Sequence, residues 1–433
     1  MKYFRRRIFL ILPWLLLVLG VGPTYADPWP PDSTPAGGAG QQSVLQTLLF
    51  ALGEVDLTSL GVSDTELLAV GPQLNPLSSS DGGMLIVDDD GLDCPNFQYT
   101  TIQAAVDAAM PGDKIKVCPG TYIEQVTIPA GKDGLTLFVE SAFQAVIKAP
   151  LFMTDPKAIV RVNGAQNVTI RHFTITGPGD SICNSIRYGV FVDNGGSALI
   201  TDNHITEIHD IPDISRVVVS GCQNGHGVAV GRMRAPDGPT TGSAIVVHNL
   251  IDKYQKGGVL VDNAGSSAEV AYNEVVGIGP TSDIAQNGIV VARAAQADVH
   301  HNKVSQNVYS PPDFDATGIL LFCDPVVVAC AGTTGATGGS RVHHNDVFLN
   351  EVGIAPWFVA GTVEISYNNS RNNLSDGIHA YPPTSGNLIA HNKAFQNGML
   401  DCVDDTNPTQ NNWLKDLGRT ENQTGLCKEA GPK

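Results

Sequence analysis

From Met84 onward the chain is a succession of short runs in which apolar and polar residues alternate, separated by Gly and Asn. One motif recurs around an asparagine: Asn203, Asn249, Asn273, Asn302, Asn345, Asn368 and Asn392. Three residues before each stands an aliphatic: Ile200, Val246, Val270, Val299, Val342, Ile365 and Ile389. Two residues after come Ile205, Ile251, Val275, Val304 and Val347, weakening to Ser370 and Ala394. A second motif is glycine followed by an aliphatic: Gly189-Val190, Gly227-Val228, Gly258-Val259, Gly288-Ile289, Gly318-Ile319, Gly353-Ile354 and Gly377-Ile378. The two motifs alternate, one of each per repeat, with a period of 23 or 24 residues where the repeats are tightest. Longer intervals predict loops inserted at fixed corners. Each run is too short to bury a face alone, but stacking on the next repeat, about 4.8 Å away, would build a continuous core. Asn tolerates the left-handed backbone of a tight corner, and stacked identical amides can hydrogen-bond along the axis. The pattern therefore predicts an all-β solenoid, a parallel β-helix, over residues 84–427. The Leu spacing of a leucine-rich repeat is absent, and a propeller needs longer blades.

The start of this region predicts a cap. Thr101 to Met110 is rich in helix formers and is stopped by Pro111-Gly112, and Ile115 and Val117 then alternate with lysines. A short helix here would cover apolar core and unpaired backbone at the end of the stack. The stretch Tyr99-Thr-Thr-Ile-Gln-Ala-Ala-Val-Asp-Ala-Ala-Met-Pro-Gly-Asp-Lys-Ile-Lys-Val-Cys-Pro-Gly-Thr-Tyr-Ile-Glu124, with the repeats that follow, resembles right-handed parallel β-helix proteins of the pectin-lyase-like superfamily. The resemblance implies that fold, with a short N-terminal capping helix, and business with extracellular polysaccharide. Gly120-Thr-Tyr-Ile-Glu124 is similar to the start of pectin methylesterases, but the two aspartate motifs of that family are missing, and Leu417-Gly-Arg419 is followed by Thr420-Glu421 instead of Pro-Trp. Without both carboxylates the esterase mechanism has no nucleophile and acid, so that activity is excluded. No Asp-rich motif of the glycoside hydrolases on this fold stands out either.

Strand alternation after each repeat glycine directs positions +1 and +3 inward and +2 and +4 outward. The +4 residues are Asp193, Gly231, Asp262, Ala292, Phe322, Trp357 and Tyr381. The last three form a predicted outward aromatic stripe, a substrate-binding platform for sugar rings, beside His379. Packing beneath a covering loop would account for the rings equally well, and Pro356 is expected to disturb the alternation next to Trp357. For the lyases and uronate C5-epimerases of this fold, chemistry requires a base for the C5 proton and a cation at the carboxylate. His379, Tyr381 and Asp376 are the candidate acids and bases, from Asp376-Gly-Ile-His-Ala-Tyr381. Arg293, with Arg232 and Arg234, is the candidate neutraliser, and Asn224-Gly-His226 occupies the matching corner of an earlier coil. A non-catalytic surface or matrix protein, with the solenoid as rigid spacer or adhesin, is the competing reading.

The N-terminus changes the setting. Lys2, Arg5, Arg6 and Arg7 precede an apolar run, Ile8 to Val21, and Thr24-Tyr25-Ala26 offers a small-x-small exit, so residues 1–26 are expected to be a signal peptide of the general secretory type. Arg6-Arg7 also fits a twin-arginine signal. No later run is apolar enough to span a bilayer. Residues 27–83 read as a Pro/Gly-rich leader with a short helix near Gln41 to Leu52, and residues 428–433 as a tail. The formal charge is −17, or −21 without the four basic residues of the signal, which argues against nucleic acid and for a soluble, monomeric, extracytoplasmic protein. All eight cysteines follow the signal segment, as a disulfide framework requires. Roughly a hundred connectivities are open; sequential pairing is favoured because each neighbouring pair brackets one local loop: Cys94–Cys118, Cys183–Cys222, Cys323–Cys330 and Cys402–Cys427. No metal site is expected. His301 and His344 are expected to stack on adjacent coils and could hold a metal there, but Tyr272 and Tyr367 replace His at the same position, which fits packing better than ligation. Asp88-Asp89-Asp90 is the one candidate for Ca²⁺, and without EF-hand spacing it reads more simply as a solvated acidic run.

Overall fold

The structure is a computed structural model that describes residues 82–211, 219–310, 314–323, 339–359, 363–406 and 409–428. The expected signal peptide, nearly all of the leader with its short helix, Cys330 and almost all of the tail lie outside the described residues. Among the described residues are three parallel sheets of 12, 12 and 10 strands, called here sheets I, II and III in the order in which each coil visits them. One coil, for example, runs from Gly196–Thr201 in sheet I through His204–Thr206 in sheet II to His226–Val230 in sheet III, and returns to sheet I at Gly242–Val247. This is the right-handed parallel β-helix that the repeats predict.

Three inward columns fill the solenoid. Ile200, Val246, Val270, Val299, Val342, Ile365 and Ile389 come from sheet I, the series from Ile205 to Ala394 from sheet II, and Val190, Val228, Val259, Ile289, Ile319, Ile354 and Ile378 from sheet III. Each aliphatic so buried contributes about 1.5–3 kcal/mol. The repeat glycines are a matter of space. A Cβ on Gly288 would lie 2.3 Å from the Val304 side chain and 2.5 Å from the Gly318 carbonyl oxygen of the next coil.

The asparagines form the ladder expected, at the corner between sheets I and II. Each side-chain amide donates to the Oδ1 of the next: Asn203 to Asn249 at 3.1 Å, then Asn273, Asn302, Asn345, Asn368 and Asn392 at 2.9–3.0 Å. The left-handed backbone, however, belongs to the residue before each Asn. His248, Tyr272, His301, His344, Tyr367 and His391 all have φ of 54–59°. Asn is there for its amide, and the preceding side chain is turned outward by the corner. A second ladder, five residues further on, joins Asn307, Asn350, Asn373 and Asn397 at the corner between sheets II and III. Because each amide donates one N–H to the Asn Oδ1 of the next coil, the last one needs an acceptor. Aspartates supply it: Asp416 accepts from Asn392 at 2.8 Å and Asp401 from Asn397 at 2.9 Å.

Both ends are closed. The capping helix spans Ile102–Ala108, shorter than the Thr101 to Met110 run suggests, and buries Ile102, Ala105 and Val106. The Glu124 carboxylate accepts from the N–H groups of Ile102 (2.8 Å) and Gln103 (2.9 Å), where the helix dipole favours an anion. At the other end Leu426 covers Ala394 and Cys402, and the Cys402–Cys427 disulfide ties the terminal segment down. Cys94–Cys118 and Cys183–Cys222 are also formed, as expected from sequential pairing.

Candidate functional site

Sheet III presents its outer face through the +2 and +4 positions. Along most of its length that face carries a second apolar layer, with Phe191, Ala229, Leu260 and Val290 buried. It opens toward the C-terminal coils. Ala292, Phe322 and Trp357 are in register on consecutive coils, and Trp357 bridges to Tyr381 on the next. Pro356 does not disturb the alternation. It pairs in register with Leu321, and its carbonyl accepts from the Tyr381 N–H at 3.0 Å, so the ring costs the sheet only the missing donor. Ring centroids are 5.3 Å apart for Phe322 and Trp357 and 6.0 Å for Trp357 and Tyr381, both tilted by 50°. Trp357 is 39% exposed, and Phe322 and Tyr381 are half-buried.

His379 lies flat on Tyr381, centroids 3.7 Å apart. Its Nδ1 is 3.0 Å from Asp376 Oδ2 and its Nε2 is 3.1 Å from Asp405 Oδ2. Burial would hold this imidazole down, but hydrogen bonds to the two carboxylates overrule it and push the pKa up to about 9. At neutral pH His379 is therefore an imidazolium with both N–H groups donated, which suits it to hold charge and position and leaves no lone pair for a proton. Tyr381 donates to Asp315 Oδ2 at 2.7 Å, and burial with that carboxylate keeps the phenol protonated. The structure thus brings together Tyr381, His379 and Asp376 and adds Asp405 and Asp315. Neither of the last two sits in a repeat motif, so the sequence offered no signal for them.

Arg293 lies elsewhere. It is buried, paired with fully buried Asp262 at 2.8 Å, and 5.8 Å from the Phe322 ring centroid. Its guanidinium supports the first ring of the stripe and is not presented to a ligand. Arg232 approaches the same carboxylate at 3.5 Å, and Arg234 is exposed.

A second recess on sheet III is lined by Arg187, Tyr188, Asn224, His226, Arg232 and Asp237. Asp237 accepts from Arg187 (2.7 Å) and from the Tyr188 hydroxyl (2.9 Å). His226 stacks on Tyr188 at 6.2 Å, and no hydrogen-bond partner meets its buried Nδ1 among the described residues. Burial, with Arg232, Lys256 and Arg293 nearby, holds this imidazole well below the ordinary histidine range, so it is neutral at pH 7. The two histidines on this face are thus driven in opposite directions by their neighbours.

The acidic run near the N-terminal cap is used by the backbone. Asp88 accepts from Gly91 (3.1 Å) and Cys94, and Asp89 from Thr121 (3.0 Å). Asp88, Asp90 and Asp93 offer oxygens to one another's vicinity, whereas Asp89 faces the strand.

No protein-family model and no curated protein matches the sequence. Solved structures do match in shape. A complex of XylC with xylose aligns with TM-score 0.50 at 13% identity, covering 78% of this chain and 70% of that one. Pectate lyase Pel9A aligns at 0.36 and 14% (81% and 82% covered). The A-module of the mannuronan C-5 epimerase AlgE6 of Azotobacter vinelandii aligns at 0.38 and 15% (74% and 83% covered). At 13% identity the likeness to the first of these is one of fold alone, the right-handed parallel β-helix that the three sheets build.

Proposed function

We propose that the protein is an extracytoplasmic carbohydrate-active β-helix, and that an extended polysaccharide lies along the C-terminal part of sheet III's outer face. The observation that carries this reading is the stripe of Phe322, Trp357 and Tyr381 on three successive coils, with Trp357 open to solvent. Rings repeating at the coil spacing offer a track for successive sugar residues, whose C–H faces meet the aromatic planes while their hydroxyls reach Asp405 and Asp315. Three disulfides agree with an exported chain. The carboxylates around His379 leave this end of the track acidic, which favours a neutral stretch of glycan over a uronate. The test is titration of neutral and uronate oligosaccharides into wild type and Trp357→Ala; equal affinity of the two proteins would dismiss the track.

A uronate lyase or C5-epimerase activity has one observation of its own, the recess at His226. A neutral imidazole lines that recess beside two cations, the kinds of group such chemistry requires, although its Nδ1 is buried and Arg187 and Arg232 are already paired with Asp237 and Asp262. On this reading His226→Ala abolishes release of unsaturated uronate while His379→Gln does not, and absence of both unsaturated product and C5 inversion in wild type would reduce the function to binding.

A further inference from the structure

The outward side chains of the corner between sheets I and II form a column of six rings. His248, Tyr272, His301, His344, Tyr367 and His391 stack face to face with centroids 4.8–5.2 Å apart and planes within 19°. Their faces are covered by one another, so the column offers a ligand only its edges. On two adjacent coils a second histidine stands beside the column. His300 Nδ1 is 2.9 Å from His301 Nδ1, and His343 Nδ1 is 2.9 Å from His344 Nδ1. His300 and His343 stack on each other at 5.0 Å.

We propose that these two pairs, His300 with His301 and His343 with His344, are chelating sites for a divalent transition-metal ion. Three features carry the proposal. First, two imidazole nitrogens 2.9 Å apart span the bite that a metal requires: with metal–nitrogen bonds of about 2.0–2.1 Å, the angle at the ion is about 90°, that of two adjacent ligands in a square or octahedral shell. Second, each inner histidine is oriented from behind by a carboxylate. His343 Nε2 lies 2.9 Å from Asp298 Oδ1 and His300 Nε2 lies 3.3 Å from Glu269 Oε1. A carboxylate that accepts a hydrogen bond from Nε2–H fixes the tautomer whose Nδ1 lone pair is free, as the partners of metal-ligating histidines do. Third, the arrangement is duplicated by the repeat and is reachable: His301 and His344 are exposed, while His300 and His343 are partly covered. Without metal, one Nδ1–H of each pair donates to the other Nδ1. With metal, the outer histidine carries its proton on Nε2, and both Nδ1 lone pairs bind. Water completes the shell. Cu²⁺ and Ni²⁺ suit nitrogen ligands at right angles better than Zn²⁺, which prefers a tetrahedron. Glu269, Asp298, Arg341 and Glu364 are the charged groups on these strands of sheet I and their neighbours, Arg341 being paired with Asp298.

The experiment is titration of the full chain with Cu²⁺ at pH 7.5, followed by calorimetry and by electron paramagnetic resonance. Wild type is expected to bind up to two ions with nitrogen hyperfine structure from two imidazoles per ion. His300→Gln with His343→Gln should abolish this binding, and Asp298→Asn with Glu269→Gln should weaken it on the order of 10-fold or more. His248→Gln with His391→Gln, on the same column but without a partner histidine, should leave it unchanged. Should the first variant misfold, the carboxylate variant and the hyperfine pattern of wild type decide alone. Stoichiometry retained in both pair variants, equal loss in the His248/His391 control, or a spectrum with oxygen ligands only would overturn the assignment.

Discussion

Removing one amide from the middle of the ladder measures how the fold is held. Asn302 is 1% exposed. Its side-chain N–H groups donate to Val270 O (2.8 Å), His300 O (3.1 Å) and Asn345 Oδ1 (3.0 Å). Its Oδ1 accepts both the backbone N–H and the side-chain N–H of Asn273, each at 3.0 Å. Asn302→Ala leaves the Asn273 backbone N–H without a partner in a buried place and takes a donor from two carbonyls. The Asn273 side chain keeps its bond to Val246 O at 2.7 Å, and Asn345 Oδ1 keeps the Asn302 backbone N–H at 3.0 Å. One fully orphaned donor costs about 1–3 kcal/mol and each weakened acceptor adds less, so the loss should be about 3 kcal/mol. Asn302→Asp separates shape from hydrogen bonding: its second oxygen faces three acceptors, so the variant should be less stable than wild type at pH 7 and recover as the pH falls. Denaturant unfolding followed by circular dichroism gives both values. An Asn302→Ala variant within about 0.5 kcal/mol of wild type would show that the ladder is incidental to stability.

The ladder's terminal acceptor makes a pH prediction. Burial pushes Asp416 up to about 7, above its unfolded value, so its contribution is present at low pH and stability falls as pH rises from about 4 to 7; Asp416→Asn should flatten that slope, and an unchanged slope would locate the titration elsewhere. His379 has the opposite chemistry with the same direction: its folded pKa of about 9 exceeds the unfolded one, so its stabilisation is complete below about 6.5 and disappears as pH rises through 9. An NMR titration of its ring protons ending near pH 6.5 would contradict the two-carboxylate clamp. Asp262→Ala strips the carboxylate from buried Arg293 and should cost about 3–5 kcal/mol, read as a lowered unfolding midpoint.

The solenoid was legible because its physics repeats. Ile or Val three residues before each Asn is a core column, and the alternation after Gly318 and Gly353 placed Phe322 and Trp357 correctly on the outside. A second asparagine ladder recurs at a fixed offset of five residues, Asn345 to Asn350 and Asn368 to Asn373, where the strand that follows is too short to set it apart from the first motif. The corner asparagines suggest left-handed positions at Asn, whereas the backbone carries them on the preceding His or Tyr. The site was harder. Asp315, Asp405 and Asp237 come from loops of unequal length, and only the coil stacking brings them to Tyr381, His379 and Tyr188. Sequence spacing cannot reveal that His379 is clamped by two carboxylates while the buried Nδ1 of His226 meets no partner among the described residues.

The central claim is that sheet III's exposed aromatic stripe holds a glycan, and Trp357→Ala tests it most directly. Trp357 is 39% exposed and packs on Phe322, Phe358 and Tyr381, so its removal should lower the unfolding midpoint yet leave the protein folded. Calorimetric titration with the tightest-binding oligosaccharide should then show affinity reduced by about 1–3 kcal/mol, the worth of a central aromatic contact. Unaltered affinity in a folded Trp357→Ala protein, or no glycan bound by wild type, would contradict the claim.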